Sequence, residues 1–339
     1  MSSASIEIIG SGVAGLTCAA MFAERGCDVS VYSTSQGIDE TCCSWWAGGM
    51  LAPWCEMESA EPLIARLGEE SIEYWRNNFG AVEPMGSLVV ANRRDLPDLE
   101  QFASRTSHFE KITPDTIESL EPDLATRFDA GLYFKDECHL NPREALRWLI
   151  EKLDSMPNVT LTFSMNSKNT RVGKRNGYDW QIDCRGLNAR DELKDLRGVR
   201  GEMLILETEQ VSLSRPIRLL HPRYPLYIVP RPNNRFMVGA TMIESDHRGP
   251  PSVRSIMELL STAYALHPAF GEASIVEMGA DARPAFTDNL PRLRRRGKTL
   301  YVNGLFRHGF LCAPAMARRA VDFALDNLID EEVVDENCA

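Results

Sequence analysis

No two of the nine cysteines stand in C-x-x-C spacing, and Cys42 and Cys43 are adjacent. The chain therefore offers neither a metal knuckle nor a dithiol redox centre, and an odd, unpatterned set of thiols suits a reducing compartment. Cations are outnumbered: 37 Lys and Arg against 48 Asp and Glu give a net charge of -11. That balance argues against a nucleic-acid footprint and against a basic membrane-surface patch. Uncharged apolar runs all fall short of the roughly 18 residues a membrane-spanning helix needs. The first basic residue is Arg25, so a secretory n-region is not expected. Repeats, low-complexity tracts and flexible linkers are absent too. What remains is a cytoplasmic protein whose partner is a small molecule.

The 339 residues are 44% hydrophobic and 25% charged, an ordinary globular balance with a sizeable core. The strand "IEIIG" runs into Gly10-Ser-Gly12-Val13-Ala14-Gly15, then a helix to Arg25 and a second strand, "DVSVYS". In this βαβ setting the first glycine allows the tight turn, the second a close approach to pyrophosphate, and the third helix–strand packing. The acidic residue expected at the end of the second strand is replaced by Ser33. No Lys or Arg lies between Gly26 and Ala65, so a 2′-phosphate has no cation and NADP is disfavoured. Ser33, Thr34 or Ser35 offers a hydroxyl to the ribose instead. The segment "CSWWAGGMLAP", with Gly48, Gly49 and Met50, reads either as a loop lying against a flat ring or as a buried hydrophobic loop.

Further along, strands are predicted at 86–91, 131–135, 159–163, 201–207, 226–231 and 235–241, and helices near 69–79, from Pro142, over 252–266 and over 312–328. The reading is two discontinuous domains: residues 1–84, 139–199 and 277–339 bind the dinucleotide, while 85–138 and 200–276 form a β-rich second unit.

Two arginines interrupt apolar surroundings: Arg283 before a proline and Arg307 between a strand and a helix. A guanidinium there must reach water or an anion, and a substrate carboxylate matches its planar fork; a structural ion pair is the alternative. Tyr227 adds a hydroxyl or packs half-buried. His308 is a base or a loop histidine bonded to backbone, and His139 is read as structural.

Taken together, "IIGSGVAGL", "WWAGGMLAP", "HLNPREAL", "DCRGL", "RGEML", "LLHPRYPLYIVPR", "MVGATMIES", "RPAFTDNLP" and "GLFRHGFLCAP" resemble, in order and over nearly the whole chain, the flavin-dependent amino-acid oxidases of the D-amino-acid oxidase and sarcosine oxidase group, in particular its glycine oxidase branch. The resemblance implies an α/β FAD-binding domain, Rossmann-like and of the glutathione-reductase type, plus an α+β substrate domain with an antiparallel sheet. It implies noncovalent FAD, a small amino-acid substrate (most often glycine), molecular oxygen as acceptor, a homo-oligomer and hand-over of the imine to thiazole synthase in thiamine biosynthesis. Another small amino acid or amine, such as a D-amino acid or sarcosine, is the alternative substrate, and a dehydrogenase the alternative activity. Position by position, Arg283 and Arg307 fall on the carboxylate region, Tyr227 on the active-site tyrosine and Met242 on a pocket wall. Gly48, Gly49 and Met50 face the flavin, and Arg307, His308, Gly309, Phe310 and Leu311 lie near its pyrimidine end. No metal site is expected. Ser33 and His308 depart from the common pattern.

Overall fold

The computed structural model describes residues 3–164, 177–221 and 225–335. Residues 222–224, inside the "LLHPRYPLYIVPR" motif, lie outside that set.

The first sheet has seven strands in the order Val334–Asp335, Arg292–Arg296, Thr299–Asn303, Trp180–Asp183, Ser5–Ile9, Asp28–Tyr32 and Val159–Thr162. The last five named are parallel to one another, and Arg292–Arg296 runs antiparallel beside them. Parallel strands need covering on both faces; Ile6, Ile8, Val29, Val31 and Ile182 are buried here, together with the polar Glu7, Gln181 and Asp183. Helices Val13–Glu24, Pro62–Asn78, Pro142–Asp154 and Gly309–Asp326 pack in one cluster with this sheet. Asn141 caps the third of these through Arg143 N at 3.1 Å, and Pro142 fills its first turn, where no amide partner is lost.

The second sheet has nine strands and is mostly antiparallel; toward one edge Arg197–Glu207 is flanked by Arg235–Gly239 and by the long strand Ser274–Ala285. Ile217–Leu220 and Ser87–Ala91 pair in parallel. Helix Val253–Leu266, capped by Ser252 through Ser255 N, closes a second core around Leu204, Ile228 and Val238. The fold is thus an α/β dinucleotide-binding layer beside an α+β layer.

Several boundaries differ from the sequence expectation. The helix expected near 69–79 begins at Pro62, and the one expected from 312 begins at Gly309, running through Pro314. The strand expected from 201 starts at Arg197. The expected domain limits at 199/200 and 276/277 therefore fall inside two paired strands of the second sheet.

Candidate active site

A cavity of about 640 Å³ lies between the two sheets and is lined from both. One end is the start of helix Val13–Glu24. Gly10 sits at φ +112°, and a Cβ on Gly15 would overlap the Gly10 carbonyl; both residues are needed to bring the helix end this close to the strand. Gly12 caps the helix with no side chain of its own, and Gly10, Gly12, Val13 and Ala14 all line the cavity. Gly15 does not border it and acts through packing alone. These amides and the helix N-terminus form a cradle for a diphosphate. Beyond the second strand, Ser33 bonds Ser11 and Ser35, each at 2.7 Å, and Ser33 and Thr34 border the same space. This hydroxyl cluster stands where an acid was expected.

In the middle, Gly48, Gly49 and Met50 line the wall. Gly49 sits at φ +72°, and a Cβ there would strike the Leu140 carbonyl and Pro142 ring. The Gly48 carbonyl accepts from Arg231 Nη2 at 2.5 Å. Trp46 lies flat against Gly279, where any Cβ would overlap its ring.

The far end gathers charge. Arg307 Nη2 meets Glu56 Oε2 at 2.6 Å, with only 19% and 10% of the two side chains exposed, and also bonds Ser59 Oγ at 2.7 Å. His308 Nε2 approaches the same carboxylate oxygen at 2.8 Å. Tyr227 donates its hydroxyl to Glu56 Oε1 at 3.2 Å and accepts from Arg218 Nη1 at 2.6 Å. Burial would raise the Glu56 carboxyl, but Arg307, His308 and Arg218 outweigh it and hold the group ionised, well below the usual range. Burial lowers His308, against the pull of Glu56, so the ring is neutral. Its Nε2 stands between Glu56, which can only accept, and Arg307 Nε, which can only donate and lies 3.2 Å away. Burial pushes the Tyr227 phenol well up.

Arg283 is different. Its guanidinium donates to the Thr241 carbonyl at 3.0 Å, and among the described residues no carboxylate lies within ion-pair distance of it; Gly201 provides its room, since a Cβ there would overlap the guanidinium. Burial disfavours its charge, and Arg307 adds to that. Met242, 58% exposed, closes the mouth at 3.7 Å from Arg307 Nη1. Gly309, Phe310 and Leu311 complete this end.

The structure thus brings all the expected positions except Gly15 to one cavity. It adds Glu56, Arg218 and Gly201, which the sequence reading passed over; an acid in "WCEMESAE" gives no local sign of burial, because its partners Tyr227 and His308 lie 171 and 252 residues away. Among the described residues there is no His, Cys, Asp and Glu cluster able to hold a metal, and no helix long and apolar enough to cross a membrane.

An α/β cradle for a dinucleotide, opening on a cavity walled by a second sheet with a buried guanidinium, defines a nucleotide-dependent oxidoreductase. The comparisons give the particular family: residues 5–323 match the FAD dependent oxidoreductase family DAO, and the chain belongs to it. It is similar to a Rhizobium etli protein with the provisional name thiamine biosynthesis oxidoreductase ThiO, 52% identical over 92% of this chain and 94% of the relative. A glycine oxidase of Bacillus licheniformis is 23% identical over 97% and 95%. The crystal structure of glycine oxidase from Geobacillus kaustophilus superposes with a TM-score of 0.78 at 20% identity, over 97% and 96%. The chain is an FAD-dependent oxidoreductase of the amino-acid oxidase class.

Proposed function

We propose that the enzyme oxidises glycine to iminoacetate, with oxygen reduced to hydrogen peroxide, and that the imine supplies the thiazole of thiamine by hand-over to thiazole synthase. The observation that carries this reading is Arg283, a guanidinium in the cavity wall with one carbonyl partner and, among the described residues, no anion within ion-pair distance. A substrate carboxylate completes it with paired charge-assisted bonds. The relative named for thiamine biosynthesis and those named glycine oxidase support the substrate and its destination.

The residues present fit FAD. The Gly10–Ala14 cradle would take the diphosphate and Ser33 and Thr34 the adenosine ribose, while Gly48, Gly49, Met50, His308 and Gly309, which line the same cavity, would border the ring. Bound FAD supplies the two-electron acceptor for the α-hydrogen and its electron pair. Attachment is read as noncovalent, with the half-buried Cys42 and Cys43 bordering the cavity as thiols.

Arg283 fixes the carboxylate and so aims the α-carbon. The substrate amine binds neutral, because the carboxylates near Arg283 are already engaged, Glu56 by Arg307, His308 and Tyr227 and Asp281 by Arg248. Its lone pair then assists departure of the α-hydrogen, and no protein base is required. Tyr227, locked between Arg218 and Glu56, positions rather than accepts a proton. The protein acts in the cytoplasm as a homo-oligomer. Anaerobic addition of glycine to the yellow holoenzyme should bleach it, with sarcosine and D-alanine slower; no bleaching by glycine, or an unchanged rate in Arg283→Ala, refutes the reading.

A further inference from the structure

Among the described residues, five arginines line the cavity. Arg185, Arg218 and Arg248 are paired with Asp183, Glu58 and Asp281, whereas Arg307 and Arg283 are in opposite electrostatic situations. Arg307 is neutralised from within by Glu56 at 2.6 Å, and its donors also meet His308, Ser59 and Met242. Among the described residues Arg283 meets only the Thr241 carbonyl. Glu56 is held on both oxygens, by the Tyr227 hydroxyl on one and by His308 and Arg307 on the other, so it cannot swing away without leaving several buried donors unpaired.

We propose that Glu56 is a specificity-determining residue that, by occupying the guanidinium of Arg307, restricts the substrate to amines bearing a single carboxylate. The inference rests on Arg283 being the carboxylate anchor. A ligand anchored there and carrying a second carboxylate finds no arginine without a carboxylate partner among the described lining residues, since Arg185, Arg218 and Arg248 are paired as well; toward Arg307 it meets an ionised carboxylate. Displacing Glu56 strands a buried charge, which costs more than the replacement pair returns, and like charges brought together disfavour the ligand further. A hydrogen, methyl or other small neutral substituent meets neither penalty. The selectivity therefore arises from repulsion built into the wall.

The test uses holoenzyme and two ligands without an amine, acetate and malonate, titrated by perturbation of flavin absorbance and checked for competition with glycine. In the parent enzyme malonate should bind at least about tenfold more weakly than acetate, the cost of a like-charge contact being larger than that. Glu56→Gln keeps the shape and removes the charge. It should tighten malonate by about tenfold or more and move acetate by less than about threefold, and the double variant E56Q/R307M should lose the gain. Retained FAD absorbance verifies the variants, and the parent ratio needs no variant at all. Equal binding of the two ligands by the parent, or an unchanged ratio in a folded E56Q, overturns the inference and leaves the anchor standing. Acetate that neither binds the parent nor competes with glycine overturns the anchor, and the inference with it.

Discussion

Trp75 Nε1 donates to the carbonyl of Phe310 across 2.9 Å, within the buried core. That oxygen is the one whose helical partner would be the amide of residue 314, and residue 314 is proline. A proline inside a helix removes this bond; the indole from helix Pro62–Asn78 replaces it and lets the last helix begin at Gly309, on the cavity. Trp75→Phe leaves the carbonyl buried and unpaired, costing about 1–3 kcal/mol, with lost packing on top. A thermal unfolding midpoint lowered by several degrees and weaker FAD binding are expected; an unchanged midpoint contradicts the assignment.

Arg283 separates function from stability. Because it pairs with no carboxylate among the described residues, Arg283→Met strands no buried anion, only the Thr241 carbonyl. The apoprotein should be as stable as the parent or slightly more so. Loss of a buried charged contact to substrate costs about 2–5 kcal/mol, so kcat/KM for glycine should fall roughly a hundredfold or more. Arg307→Met should do the reverse in the apoprotein and destabilise it, since Glu56 loses its strongest partner. Differential scanning of both variants decides this.

Much of this arrangement was legible in the residues themselves. The strand–glycine–helix opening, the Asn141-Pro142 cap and the alternation over Leu226–Arg231 are local signals, and the elements appear there. Strand Ser274–Ala285 was missed because charges break its alternation: Glu277 pairs with Arg143 at 2.8 Å, Asp281 with Arg248 at 2.7 Å, and Arg283 faces the cavity. The start of the last helix was misplaced because Pro314 forbids it locally, and only a side chain 235 residues away permits it. Likewise the distinction between a paired Arg307 and an unpaired Arg283 depends on Glu56, which no spacing rule connects to either.

Arg231 stands behind the Gly48 carbonyl with no carboxylate within ion-pair distance among the described residues. Burial and nearby Arg143 lower its pKa to about 10. Arg231→Met removes an uncompensated buried cation, so global stability should change by less than about 1 kcal/mol. It also frees a loop whose Gly49 fits only one conformation. FAD affinity should drop about tenfold with little change in unfolding midpoint of the apoprotein, as read by fluorescence titration; the opposite pattern would assign Arg231 to the core.

Glu137 is fully buried and takes the Cys55 amide at 2.7 Å, one residue before Glu56. Burial raises its carboxyl to about 8 from 4.5. The folded protein therefore binds more protons than the unfolded chain across that interval, and stability declines as pH rises from about 4.5 to 8. Glu137→Gln keeps an acceptor for the amide and cannot ionise, so its stability relative to the parent should grow steadily over the same interval. Denaturant midpoints at pH 5 and pH 8 measure the difference; a gap that stays constant assigns the slope to another group.

The adenosine end allows the opposite manipulation. Ser33 is 6% exposed and shares its hydroxyl with Ser11 and Ser35, so the ribose meets neutral donors and acceptors at a place where the fold accommodates a carboxylate. Ser33→Glu should exchange a neutral contact for charge-assisted bonds, each worth about 1.5–3 kcal/mol before desolvation. Without FAD the same carboxylate is buried unpaired and destabilises the apoprotein. The variant is thus expected to bind FAD about tenfold more tightly while its apoprotein unfolds at lower temperature, two shifts of opposite sign. If FAD affinity falls along with apoprotein stability, the ribose does not reach Ser33, and the hydroxyl cluster belongs to the framework of the sheet rather than to the nucleotide.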